Sequence, residues 1–216
     1  MKNSIFRRKL FANVIATTFV VFAAQSISFA QTNKPISPST PATEQKSAAV
    51  PQTSATPDLF AAIPAANPAD VSSVDAIIKS LYDVISGDIG VKRDWNRFRS
   101  LFYPNARLIP TAKNKIGKIA ARSLSPDDYV KTGQEYLETQ GFTEREVARR
   151  VEQYGNIAHV FSTYESRHKA ADEKPFARGI NSIQLLNDGT RWWVVNIFWS
   201  AETPESLLPE KYLKSN

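Results

Sequence analysis

The side chains that could do chemistry are concentrated between Gly155 and Ser200, in GNIAHVFSTYESRHKAADEKPFARGINSIQLLNDGTRWWVVNIFWS. Asn196 interrupts an otherwise apolar run, and a second amide, Asn181, stands in the preceding apolar stretch. A buried amide without partners costs about 1–3 kcal/mol. Such residues therefore either satisfy each other or line a pocket that holds a polar atom of a ligand. Asn187-Asp188-Gly189-Thr190 is a hairpin signal, with Asp-Gly as the two-residue loop. On that register Asn187 faces Thr190, Leu185 faces Trp192, Ile183 faces Val194 and Asn181 faces Asn196, all on one covered side of a sheet. The opposite side then carries Ile180, Trp193, Ile197 and Trp199 as an apolar patch.

Other candidates are sparse. His159 lies in the apolar AHVF stretch and reads either as a packed histidine or as a general base, which would need a partner to orient it. Tyr164 either reaches a cavity mouth or packs. His168 falls at a strand end. Glu165 and Arg178 read as a cross-strand ion pair. The residues read as ligand-binding are thus Asn181, Asn196, Trp192, His159 and Tyr164. No residue is assigned a catalytic role, because an amide cannot take a proton at neutral pH. No HxH, HExxH or carboxylate cluster has metal-ligand spacing, and no glycine-rich nucleotide loop or GxSxG elbow occurs. No metal or cofactor is expected. The chain has no Cys, which excludes disulfides, thiolate sites and a cysteine nucleophile.

The elements that would position these residues follow from periodicity. Val74, Ile77, Ile78, Leu81, Tyr82 and Ile85 recur at helical spacing behind a Ser73 cap, and Gly87 stops the helix. Asp94 caps a short helix carrying Trp95, Phe98, Leu101 and Phe102. Pro104-Asn105 leads into a strand from Ala106 to Thr111. TAKNKIGKIA reads as a loop or short hairpin. Ser125-Pro126-Asp127-Asp128 opens another helix, which runs to about Thr139 and ends at Gly141. REVARRVEQYG fits a twisted strand or a short helix equally well. Three β-branched and aromatic strands follow. Helices first and a strand meander after them predict an α+β fold with helices on one face of a curved sheet.

The organisation upstream is distinct. Residues 1–30 read as a cleavable export signal: Lys2, Arg7, Arg8 and Lys9, an apolar run from Leu10 to Ala24, and a Ser28-Phe29-Ala30 cleavage site. An uncleaved anchor is the alternative, though the run is short for a span of roughly 20 apolar residues. Residues 31–70 are rich in Pro, Ser, Thr, Ala and Gln and read as a disordered tether in which only Leu59, Phe60 and Ile63 could dock. Residues 71–216 form the folded domain. The formal charge of +6 comes from 27 basic and 21 acidic residues. Removing the signal takes 4 basic residues with it, leaving 23 against 21 and giving no support for nucleic-acid binding. A periplasmic or secreted location is expected, with no stable membrane span after cleavage, a small apolar ligand, and a homodimer formed through the apolar outer sheet face.

GNIAHVFSTYESR followed by FARGINSIQLLNDGTRWWVVNIFWS, together with VDAIIKSLYDVISG and WNRFRSLFYPNARLI, resembles the nuclear transport factor 2-like superfamily, and in particular its small exported bacterial members. The resemblance covers Val71 to about Thr203. It implies a cone: a strongly bent mixed β-sheet wrapped around N-terminal helices, with a cavity at the wide end. The superfamily includes ketosteroid isomerase, scytalone dehydratase, polyketide cyclases and members without known activity, so the fold alone does not give a reaction. Its enzymes project an Asp or a His–Asp pair into the cavity, and the matching strands here offer Asn181 and Asn196 instead. The reading that follows is an exported small-molecule-binding or accessory domain. The alternative is an isomerase, dehydratase or cyclase acting on a small hydrophobic molecule.

Overall fold

The computed structural model describes residues 58–215, and the stretch read as an export signal and most of the stretch read as a tether lie outside the described residues. Four helices come first and among the strands: α1 (Pro68–Val71), α2 (Val74–Ile85), α3 (Trp95–Ser100) and α4 (Pro126–Gln140). Six strands complete the unit: β1 (Phe102–Lys113), β2 (Ile119–Ala121), β3 (Thr143–Tyr154), β4 (Ile157–Arg167), β5 (Ala177–Asn187) and β6 (Trp192–Ala201). The helix starts are set by local chemistry. Ser73 accepts from the Ala76 amide, Asp94 from the Arg97 amide, and Ser125 and Asp128 form a reciprocal capping box. The segment from Arg145 to Gly155, ambiguous by period, falls in strand β3 at the sheet edge and in the turn after it.

The strands form one curled, unclosed mixed sheet in the order β2-β1-β6-β5-β4-β3. β1 runs parallel to β6, and every other neighbouring pair is antiparallel. The apolar stripe of α2, with Ile77, Ile78 and Leu81, is buried among Val160, Ile183, Leu185 and Val194 of the sheet. Phe98, Leu101 and Phe102 close the same core from the α3–β1 corner. The α+β cone expected from the sequence is the observed architecture.

The β5–β6 register differs from the sequence reading in two ways. The hairpin tip is Gly189-Thr190, one residue later than expected, because Asp188 turns its carboxylate back on the loop. It accepts from the amides of Thr190 (2.8 Å) and Arg191 (2.9 Å) and from the Trp193 indole (2.6 Å). Leu185 therefore faces Val194 rather than Trp192. The register then shifts again between Gln184 and Leu185, where Val195 is the extra residue of a bulge. One inserted residue reverses the facing of everything beyond it. Asn196 pairs with Gln184 on the outer face, Ile197 faces Ile183 inside, and Asn181 faces Trp199. The two amides do not meet.

The bulge also dissolves the expected apolar dimer patch. Ile197 and Trp199 line the interior, and Ile180 remains outside. Trp193 is buried beneath Phe60 and Tyr103, with ring centroids at 5.7 and 5.8 Å. The described chain also packs upstream of Val71. Phe60 sits against Tyr103 and Trp193, and buried Asp70 in α1 is gripped by Arg97 at 2.7 and 2.9 Å and by Ser80 at 2.9 Å. The end of the stretch read as tether is thus part of the core's outer wall.

Candidate functional site

A cavity of about 230 Å³ lies between the helices and the concave face of the sheet. Its walls are mostly apolar: Leu81 and Ile85 of α2, Phe98 of α3, Leu108 of β1, and Ile197 and Trp199 of β6. Phe142 and Phe176 complete them. Five polar residues besides Tyr82 line it: Tyr129 of α4, Glu144 of β3, Tyr164 and Ser166 of β4, and Asn181 of β5. No Lys, Arg, His or Asp is among the lining residues.

Glu144 is the group that sequence reading missed. Strand alternation turns it and Glu146 to the concave face, opposite Ser166 and Tyr164. The Ser166 hydroxyl donates to Glu144 Oε2 at 2.7 Å. Burial in the apolar cone pushes the Glu144 carboxyl up to about 7, against hydrogen bonds from Ser166 and Asn181 that favour its charged form. No cation is placed to pull it back down. A carboxyl that is half-ionised near neutrality and faces an apolar cavity has the properties of a general acid–base. The available signal was the Glu144-Arg145-Glu146 alternation, which puts two acids on one strand face. The sequence reading begins that segment at Arg145 and leaves it between strand and helix, so Glu144 is assigned to no face.

The phenols complement the carboxylate. Burial raises the Tyr129 and Tyr164 hydroxyls above the ordinary phenol value, with the nearby Glu144 charge adding to the effect, so both remain protonated donors. Neither hydroxyl has a hydrogen-bond partner among the described residues. Tyr164 fits because residue 179, on the neighbouring strand, is glycine. A Cβ there would stand 2.6 Å from the Tyr164 hydroxyl and would also strike the Ser200 carbonyl.

Of the five residues read as ligand-binding, two line this cavity: Tyr164 and Asn181. Asn181 donates through Nδ2 to the Tyr82 hydroxyl at 3.1 Å. Trp192 is buried in the core and does not line the cavity. His159 points to the outer face, where Nε2 lies 3.0 Å from Ser182 Oγ, so it is not the base of this site. Asn196 is also outside, and its Oδ1 is buried without a partner. His168 donates through Nδ1 to the Gly141 carbonyl at 3.2 Å and stacks on Phe176. Glu165 and Arg178 face each other in register, but they bond elsewhere. Glu165 pairs with Arg145 (3.0 Å) and Arg167 (2.9 Å), and Arg178 with Glu202 (2.8 Å). Among the described residues no group of three His, Cys, Asp or Glu could hold a metal, and no helix is long and apolar enough to cross a membrane.

No family model matches the chain, and no curated protein matches it. Solved structures resemble it at low identity. A protein of unknown function with a cystatin-like fold from Nostoc punctiforme has a TM-score of 0.46 at 10% identity, covering 61% of this chain and 90% of its own. An NTF-2 like protein of unknown function from Silicibacter pomeroyi has a TM-score of 0.41 at 14% identity, covering 61% and 94%. A candidate scytalone dehydratase from Novosphingobium aromaticivorans has a TM-score of 0.46 at 12% identity, covering 61% and 83%. These likenesses carry no role over to this chain.

Proposed function

We propose that this chain, whose fold is nuclear transport factor 2-like, binds a small uncharged apolar molecule in the cone and moves a proton on it through Glu144. The observation that carries the reading is one carboxyl, poised near neutrality, among apolar walls and two unpartnered phenol donors. The absence of any lining cation argues against phosphorylated or carboxylate substrates, whose charge would be desolvated without a partner. The class that fits is a hydrophobic carbonyl or hydroxy compound undergoing isomerisation, dehydration or cyclisation.

The chemistry follows from the groups present. Ionised Glu144 takes a proton from a carbon beside the substrate carbonyl, and the electron pair moves onto the carbonyl oxygen. A Tyr129 or Tyr164 O–H donates a hydrogen bond to that oxygen where charge develops. Glu144 then returns the proton to another atom of the substrate, or to a departing hydroxyl. The apolar walls exclude water, which strengthens each of these interactions.

The test is proton exchange. The purified chain from Asp58 onward is incubated in deuterated water with a panel of small cyclic ketones and hydroxy ketones, and deuterium uptake is followed by NMR. Glu144-dependent uptake, lost in Glu144→Gln, supports the reading. Binding of panel members without exchange at any pH leaves an accessory binding domain instead. Export is a further part of the proposal and rests on residues 1–30: the mature chain begins at Gln31, which the intact mass of the exported protein checks.

A further inference from the structure

Tyr82, Ser162, Glu146 and Arg149 form a chain of hydrogen bonds that runs from the cavity to the surface, and of the five residues read from the sequence only Asn181 touches it. Arg149 Nε donates to Glu146 Oε2 at 2.8 Å, and the same guanidinium reaches Asp75 at 2.7 Å. Ser162 Oγ lies 2.6 Å from Glu146 Oε1, the Tyr82 hydroxyl 2.7 Å from Ser162 Oγ, and Asn181 Nδ2 3.1 Å from the Tyr82 hydroxyl. Tyr82, Ser162 and Asn181 are all buried, so none of them can exchange a partner for bulk water.

The direction of every link is forced. Ion-paired to Arg149, Glu146 is a carboxylate and can only accept. Ser162 has one hydrogen, and it goes to Glu146. Toward Tyr82, Ser162 can then only accept, which commits the single phenolic hydrogen of Tyr82. The Tyr82 oxygen can in turn only accept from Asn181. The amide must therefore present its nitrogen to Tyr82, and a flip would set its oxygen against a lone pair. The second N–H of that nitrogen remains free for the carboxyl of Glu144, which lines the same cavity.

We infer that Tyr82, Ser162, Glu146 and Arg149 are positioning residues. They lock the Asn181 amide with an N–H, rather than its oxygen, toward the Glu144 carboxylate. This rests on Glu144 being the proton-transfer group proposed above. The groups around Glu144 leave few competitors. α2 contributes Tyr82, α4 Tyr129, β4 Tyr164 and Ser166, and β5 Asn181, while β6 contributes only Ile197 and Trp199. In this arrangement the ion pair at the surface end polarises a relay whose inner end holds the base.

The experiment is carboxyl ¹³C NMR titration of glutamate-labelled chain from Asp58 onward, in wild type, Tyr82→Phe, Asn181→Ala and the double variant. Tyr82→Phe keeps the ring and removes the hydroxyl. It is expected to raise the Glu144 midpoint by about half to one pH unit, a fraction of a hydrogen bond to a charged group. In the Asn181→Ala background the same change is expected to do nothing, because its effect passes through the amide. An unchanged midpoint in Tyr82→Phe, or an equal shift in both backgrounds, overturns the inference. Should Tyr82→Phe fail to fold, Ser162→Ala serves. It changes no charge and removes the acceptor that commits the Tyr82 hydrogen, so the midpoint is expected to rise. No rise there also overturns it. A wild-type midpoint near the ordinary 4.5 would remove the proton-transfer reading, while the differences between variants still decide the relay.

Discussion

If Glu144 is held as a poised acid–base, the fold is destabilised by it at alkaline pH. Its folded value of about 7 lies above the ordinary 4.5, a difference of about 2.5 units. At about 1.4 kcal/mol per unit, the protonated form is favoured in the folded state by about 3 kcal/mol. The folded chain thus binds more protons than the unfolded one between these two values, and unfolding free energy falls as pH rises through the window. The favourable contribution is fully present below about 4.5 and is gone above about 7. Glu144→Gln mimics the neutral acid in size and keeps an oxygen for Ser166. It is therefore expected to be about as stable as wild type near pH 4.5, and about 2–4 kcal/mol more stable at pH 8. For a domain of this size that is a rise of roughly 5–15 °C in Tm. Urea denaturation of both proteins across pH 4.5 to 8 reads it directly. A constant difference between the two at every pH would refute the reasoning, because it would mean that Glu144 titrates alike in both states.

The other predictions probe placement. Asn181→Ala is expected to weaken binding of any cavity ligand in a fluorescence or calorimetric titration, and Asn196→Ala to leave it unchanged, because Asn196 faces out. Gly179→Ala drives a methyl into Tyr164 and the Ser200 carbonyl and should cost about 1–3 kcal/mol in chemical denaturation. Arg97→Ala leaves buried Asp70 without its cation. Breaking such a pair is expected to cost up to about 3 kcal/mol at pH 7, and less in acid, where Asp70 is neutral. A chain starting at Val71 lacks both Asp70 and Phe60, and should melt lower than one starting at Asp58.

Local rules sufficed for much of the fold because its helices are locally determined. Ser73, Asp94 and Ser125 cap where their side-chain oxygens reach an amide three residues on, and the α2 stripe recurs at helical spacing. The hairpin was legible as a hairpin for the same reason. Its exact tip was not, because Asp188 can serve either as the first loop residue or as the residue that caps the loop. The Trp193 indole, five positions along, decides between them.

The site was legible only where one strand face sufficed to define it. Tyr164 and Asn181 stand on β4 and β5, which pair without a register shift, so each is assigned to a face by counting along a single strand. Asn196 required counting across Val195, and a bulge leaves no mark in a run as uniform as Trp-Trp-Val-Val. Glu144 raised a different difficulty. Its neighbours Arg145, Glu146, Arg149 and Arg150 make the strand look like a solvated edge, which on one face it is. The charges that protect the edge and the carboxylate that serves the cavity share one segment, separated only by the strand's alternation. The Arg149–Glu146 pair belongs to both. It guards the edge, and through Ser162 and Tyr82 it sets the direction of the amide beside the base. An edge strand whose composition suits a solvated surface is thus the element that brings a carboxylate into this cavity.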